Sequence, residues 1–213
     1  MGPRGSCPLN LIYPPHAMKY RLFCLLHSLK SLRYRLLGLK VGKQCIISGY
    51  PSFLRCKGSE IVLGDHVVLH SKRKYNTLIR QPIAISTVEP GARVELQNHC
   101  GLSGCQIVCA NRVTIGEYTI VGPDTVIYDC KEHEYSPDIG WLGRNQRTGK
   151  PICIGKRCYI GMRCIILKGV TIGDDCVISA GTIITKDVPP GHLAQGNPAV
   201  YTPLPSRLTA LQP

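Results

Sequence analysis

From Ile154 the chain reads IGKRCY, IGMRCI, ILKGVT, IGDDCV, ISAGTI and ITKDVP, six consecutive hexapeptides covering residues 154–189. Isoleucine opens each one, at 154, 160, 166, 172, 178 and 184, and four residues on stands a small or β-branched side chain: Cys158, Cys164, Val170, Cys176, Thr182 and Val188. A period of six fits neither an α-helix, at about 3.6 residues per turn, nor one long strand, at about 2. It suits short strands joined by tight turns. The bulky aliphatic faces inward, the small residue fills the space beside it, and glycine at the second position permits the turn. The pattern predicts a parallel β-helix with three hexapeptides per coil. Position 154 then stacks on 172, and 158 on 176, one strand spacing of about 4.8 Å apart.

Earlier copies extend the repeat outward: VGKQCI (41–46), LGDHVV (63–68), IGEYTI (115–120) and VGPDTV (121–126). The expected organisation is a loose Pro-rich tail over 1–15, a helix over 16–40 and a hexapeptide-repeat domain over 41–188. Residues 71–95 and 131–150 are read as excursions from the coils, and 189–213, with six prolines, as a C-terminal tail.

Composition agrees with a narrow aliphatic prism. The 213 residues are 44% apolar and 18% charged, which excludes wholesale disorder. Only two Phe and one Trp occur beside ten Tyr, as expected of an interior too narrow for large rings. No run approaches the roughly 18 apolar residues of a membrane span. Met1–Asn10 leads into no clean apolar run with a small-residue cleavage site, so no secretory signal is expected.

The net charge of +13 is unevenly placed: ten Lys and Arg precede Glu60, the first acidic residue of the chain. That asymmetry points to an anionic partner for the N-terminal end. Nucleic acid ranks below lipid, because the basic run contains no recognisable nucleic-acid motif. In HAMKYRLFCLLHSLKSLRYRLLGLK (16–40), Leu22, Leu26, Leu29 and Leu36 share one helical face, and Ser28, Ser31, Tyr34 and Arg35 lie opposite. Two readings of this amphipathic helix are open. It can cap the open end of the β-helix with its charges solvated, or lie on an anionic membrane surface.

Twelve cysteines without a secretory signal do not suggest a disulfide framework. Cys45, Cys158, Cys164 and Cys176 fall on the small inward position, where cysteine acts as a small hydrophobe. Zinc is the competing reading for Cys100, Cys105, Cys109, Cys153, Cys158 and Cys164. Their spacings lack a paired CxxC, and no metal is expected.

Among seven histidines His133 stands apart, because it lies where the repeat halts, in YDCKEHEYS (128–136). A break in a solenoid can project a binding loop without disturbing the stack. Asp129, Glu132 and Glu134 are near in sequence, and a carboxylate there would orient the imidazole or raise its basicity.

Three stretches carry a family resemblance: 90–133 (PGARVELQNHCGLSGCQIVCANRVTIGEYTIVGPDTVIYDCKEH), 151–191 (PICIGKRCYIGMRCIILKGVTIGDDCVISAGTIITKDVPPG) and GNPA (196–199). Together they resemble the hexapeptide-repeat acyltransferases, in particular the O-acetyltransferases of bacterial surface polysaccharides. The resemblance implies a left-handed parallel β-helix, a homotrimer and acetyl-CoA bound in the cleft between neighbouring subunits. It implies a catalytic histidine at His133, after Ile127 and Asp129 of the family's I-x-D-x-D-x-H, with Lys131 replacing the second Asp. Asp129 is the candidate orienting carboxylate, with Glu132 and Glu134 as alternatives. Tyr159 stands where the family usually carries Trp beside the pantetheine arm. Ala180 matches a position whose amide binds the pantetheine, and Thr185 and Lys186 match the pair near the nucleotide end of coenzyme A. Ser103 lies near acceptor-facing positions. Val200 replaces the Lys or Arg usual after GNPA, which leaves Arg157 or Arg163 as phosphate contacts.

The implied reaction is acetyl transfer to a sugar hydroxyl in lipopolysaccharide, capsule or exopolysaccharide synthesis, with His133 as general base and no covalent acetyl-enzyme. Within the same fold the acceptor could instead be an amino sugar or a small alcohol. A glycan or lipid-linked sugar at the cytoplasmic face of the membrane agrees with the basic helix and with cytosolic acetyl-CoA. Two other classes stay open: a non-catalytic trimeric scaffold at the membrane, and a metal-dependent β-helix hydratase, which would need three converging imidazoles where 131–150 offers one.

Overall fold

The computed structural model of the protein describes residues 29–205, apart from the side chains of 144–146. The predicted tail over 1–15, the first half of the helix with Leu22 and Leu26, and residues 206–213 lie outside the described residues. The repeat folds into a three-faced prism, the parallel β-helix expected from the hexapeptides and left-handed as the family resemblance implies. One face stacks Lys40–Val41, Glu60–Leu63, Arg93–Leu96, Arg112–Ile115, Ile152–Ile154 and Thr171–Ile172. The second stacks Ile46–Ser48, Val68–His70, Gly101–Ser103, Ile120–Val121, Tyr159–Ile160 and Val177–Ile178. Ser52–Arg55, Ala84–Thr87, Gln106–Cys109, Val126–Tyr128, Ile165–Leu167 and Ile183–Ile184 form the third.

Register follows the isoleucines. Ile115 pairs with Ile154, Ile154 with Ile172, and Ile160 with Ile178, and all of them are fully buried. Each buried aliphatic contributes about 1.5–3 kcal/mol relative to exposure. The inward corners add a polar ladder. Cys158 Sγ–H donates to the Gly173 carbonyl at 3.1 Å, and Cys176 to Pro189 at 3.1 Å. Thr125 takes the same repeat position: its hydroxyl donates to the Gly161 carbonyl at 2.8 Å and accepts the Cys164 N–H at 3.1 Å. The small inward residue therefore satisfies a carbonyl of the next coil as well as filling space.

Glycine at the second hexapeptide position acts differently from the expectation. The left-handed backbone falls two residues later, at Tyr118, Asp124, Arg157, Arg163 and Asp175, with φ between 54° and 61°. The second-position glycine is required by close approach of successive coils. A Cβ on Gly116 would lie 2.5 Å from the Gly155 backbone, and one on Gly155 would lie 2.6 Å from Asp174 N.

Two boundaries differ from the sequence expectation. The first excursion is confined to 71–83, and Ala84–Thr87 and Arg93–Leu96 return to the stack. Their alternating Ile85, Val94 and Leu96 are fully buried, an inward pattern that lacks the I-G signature by which the other coils were found. The coils also continue past 188: His192–Gln195 pairs parallel with Val177–Ile178, and Val200–Pro203 returns antiparallel beside it. GNPA (196–199) makes that reversal.

At the other end a helix over 29–36 lies across the first coil. It packs through its polar face. Ser31 and Tyr34 are buried; the Tyr34 hydroxyl donates to the Pro51 carbonyl at 3.3 Å, and its ring meets Phe53 edge-on at 5.0 Å. Phe53 thus occupies the open end of the prism, where an aromatic ring has room. The leucine face points the other way, with Leu29, Leu32 and Leu36 at 56%, 49% and 80% exposure. Capping is therefore done by the tyrosine, not by the leucines. Among the described residues no helix is long and apolar enough to cross a membrane.

Candidate active site

The second excursion is a rooted β-hairpin. Cys130–Ser136 pairs antiparallel with Gly140–Gly149, with a register shift between Lys131 and His133. It leaves the prism at the edge between the third and first faces, after Val126–Tyr128 and before Ile152–Ile154. Its root is bonded to the coils on several sides. Asp129, fully buried, accepts the Ala110 N–H at 2.7 Å and the Asn111 N–H at 2.9 Å, and the Cys109 thiol donates to it at 3.3 Å. Asn111 Nδ2 donates to the Gly149 carbonyl at 3.2 Å, and the Arg147 N–H donates to Glu89 Oε1 at 2.6 Å. Gly149 has to be bare, since a Cβ there would lie 2.8 Å from that of Asn111.

His133 stands beyond this root, exposed, opposite Gly143. Asp129 is bonded to backbone amides of the preceding coil, and no hydrogen bond joins it to His133, contrary to its expected orienting role. The reason is local: inward alternation carries Asp129 into the prism wall, while the following strand turns outward. Of the alternatives, Glu132 accepts Arg147 Nε at 3.1 Å. The hairpin tip is apolar, with Tyr135 and Trp141 in edge contact at 5.5 Å, and Trp141 is 74% exposed.

The other predicted residues divide between two edges. Thr185 and Lys186 are exposed on the hairpin's own edge, just past Ile183–Ile184. Tyr159 projects from the second face, 54% exposed, between Ile120 and Val177. Ala180 sits at the edge between the second and third faces. Ser179 N–H is bonded to the Ala194 carbonyl and Gly181 N–H to that of Met162, whereas among the described residues the Ala180 N–H meets no backbone acceptor. A Cβ on Gly161 would lie 2.6 Å from the Ala180 nitrogen, so the bare glycine keeps that amide uncovered. Ser103 is half-buried on the same edge as Ala180, paired with His70. Within one chain, then, Tyr159, Ala180 and Ser103 share a side of the prism that His133 does not.

The surroundings of Ser103 are not legible along the chain. His70 Nδ1 is 2.9 Å from Ser48 Oγ, its ring stacks on Tyr75 at 5.2 Å, and burial holds its pKa below the ordinary histidine value. On that edge the Asp124 carboxylate lies 3.8 Å from both Arg80 and Arg163. Only stacking of coils distant in sequence assembles these groups, although Lys72, Arg73, Lys74 and Arg80 of the excursion were visible as a basic cluster. Desolvation pushes the buried Cys100 and Cys105 thiols up to about 12.

Residues 151–186 match the family model described as the hexapeptide repeat of succinyl-transferase. Nodulation protein L of Rhizobium meliloti is 35% identical over 150 residues, covering 64% of this chain and 76% of that protein. The galactoside O-acetyltransferase of Escherichia coli is 38% identical over 86 residues, and the chain spans 41% of its length. Among solved structures, a mutant of AntD, an N-acyltransferase from Bacillus cereus in complex with dTDP-4-amino-4,6-dideoxyglucose and coenzyme A, superposes with a TM-score of 0.65 at 14% identity. That match covers 84% of this chain and 91% of the other. The polysialic-acid-specific acetyltransferase NeuO gives a TM-score of 0.55 at 20% identity, over 78% and 75% of the two chains. These two structures share the fold.

Proposed function

Because the chain belongs to the hexapeptide-repeat acetyltransferase family, we propose that it transfers the acetyl group of acetyl-CoA to a sugar hydroxyl, with His133 as general base. The acceptor class is a glycan or lipid-linked sugar of surface-polysaccharide synthesis, and the reaction runs on the cytosolic side, where acetyl-CoA is found. The observation that carries this reading is the rooted hairpin. Asp129, Asn111 and Glu89 hold its base, and it displays an exposed imidazole at an edge of the prism.

A homotrimer completes the site. The outer column of the second face runs Val68, Gly101, Ile120, Tyr159, Val177 and Leu193, a largely apolar stripe suited to a second copy. Packing of copies brings the hairpin edge of one protomer against the Tyr159–Ala180 edge of its neighbour, and the apolar tip at Tyr135 and Trp141 buries there. Acetyl-CoA fits the groups available: the Ala180 amide for the pantetheine, Tyr159 alongside it, and Thr185, Lys186 and Arg163 towards the phosphates.

His133 removes the proton of the acceptor hydroxyl as its oxygen attacks the thioester carbonyl, a contribution of about 10²–10⁴-fold. The C–S bond breaks, and the imidazolium returns the proton to the departing thiolate, which leaves as coenzyme A. Amide donors lining the cleft stabilise the developing oxyanion. Ser103, beside His70, faces the acceptor.

Thiol release from acetyl-CoA with a panel of free, nucleotide-linked and lipid-linked sugars tests the reading. The expected result is acceptor-dependent release that falls by about 10²–10⁴-fold in His133→Ala, with coenzyme A affinity retained. Release only with amino sugars would move the assignment to N-acetylation. Failure to bind coenzyme A would remove the catalytic reading in favour of a scaffold.

A further inference from the structure

The helix over 29–36 turns its polar face inward, and that inversion asks what its leucines meet. Leu29, Leu32 and Leu36 lie within one helical stripe, with Leu37 beside it at 59% exposure, while Tyr34 and Ser31 face the first coil. Exposed clusters of large aliphatics on a folded domain mark interaction sites. The charge around them is of one sign. Between Leu29 and Ser59 the described chain carries Lys and Arg and no acidic residue, and exposed Arg33 and Arg35 stand on the same helix as the leucines. Lys72, Arg73 and Lys74, exposed on the first excursion, stand at the same end of the prism, where Lys72 Nζ lies 5.5 Å from the Tyr50 ring centre. An apolar stripe bordered by cations is the surface expected of a helix lying in the headgroup region of an anionic bilayer.

We infer that the N-terminal end of the β-helix docks on an anionic lipid surface, with Leu29, Leu32 and Leu36 inserted among the acyl chains and the surrounding Lys and Arg on the headgroups. The threefold assembly of the proposed function, on which this step rests, strengthens it: parallel prisms present three leucine faces to one plane, and multivalency multiplies a weak contact. The same plane would present lipid-linked acceptors to the three sites.

Sedimentation of the 213-residue chain with vesicles tests the inference. Vesicles of phosphatidylglycerol and phosphatidylcholine in equal parts are compared with phosphatidylcholine alone. The wild type is expected to pellet with the anionic vesicles and to be released by high salt. Leu32→Glu/Leu36→Glu is expected to lower the partition by about tenfold or more, and Leu36→Phe to preserve it. Three results would overturn it: no pelleting of wild type with anionic vesicles, equal pelleting of the Glu variant, or a fall in solution mass in that variant, which would show the leucines to be covered by another copy. Acetyl transfer to a soluble acceptor, measured on the same preparations, separates the two readings. Transfer without vesicle binding refutes the docking alone, and vesicle binding without transfer refutes the catalytic assignment alone.

Discussion

Asp129 Oδ1 accepts the backbone N–H of Ala110 at 2.7 Å, while Oδ2 takes that of Asn111, so a carboxylate at the root of the hairpin is bonded to the coil beneath it. The pair joins residues nineteen positions apart and sets the angle at which the hairpin leaves the prism. Asp129→Asn keeps the shape but offers one acceptor oxygen where two are used. It should cost about 1–3 kcal/mol of stability, measured by urea denaturation. If Asp129 acts only through the hairpin's placement, kcat falls without a shift in the pH–rate profile. A displaced profile would restore it as the partner of His133.

The Thr125 hydroxyl bridges the Gly161 carbonyl and the Cys164 N–H in the fully buried corner of one coil. Thr125→Val preserves volume and leaves both backbone groups without their partner. A loss of about 2–4 kcal/mol is expected, against less than about 1.5 for Thr125→Ser. Equal losses in the two variants would refute a hydrogen-bonding role for this position.

Acid should weaken the fold through His70 and His99. Burial lowers the pKa of both, helped at His99 by the neighbouring His66, so the folded chain binds fewer protons than the unfolded one as pH falls. Their contribution is complete above the ordinary value of 6.5 and declines as pH drops through it towards the folded values. Melting temperature is expected to fall between about pH 7.5 and about pH 5, with a shallower slope in His70→Gln. An unchanged slope would discount His70.

Among the described cysteines only Cys153 is exposed, whereas burial pushes the Cys100 and Cys105 thiols up to about 12. Alkylation of the native protein at neutral pH, read by peptide mass spectrometry, should mark Cys153 first and leave Cys100 and Cys105 unmodified until denaturant is added. Rapid labelling of either would mean that the prism opens locally.

Much of this protein is legible along the chain because a β-helix repeats one local contact. The isoleucines at 154, 160, 166, 172, 178 and 184 each solve the same packing problem, so the fold, the coil length and the burial of Cys158, Cys164 and Cys176 follow from spacing alone. The position of His133 outside the stack follows as well, since the repeat stops there. Where the pattern loses its glycines, as at Ala84–Thr87 and Arg93–Leu96, the coils continue unseen. Three matters are decided only by the tertiary structure, because each depends on residues brought together across coils. Asp129 finds amides nearer than an imidazole four residues away, His70 finds Ser48 and Tyr75, and the helix meets the prism with Tyr34, since the ring of Phe53 waits at the open end. A periodic sequence determines which side chains point inward; which partner a polar group meets there depends on the coil above and the coil below.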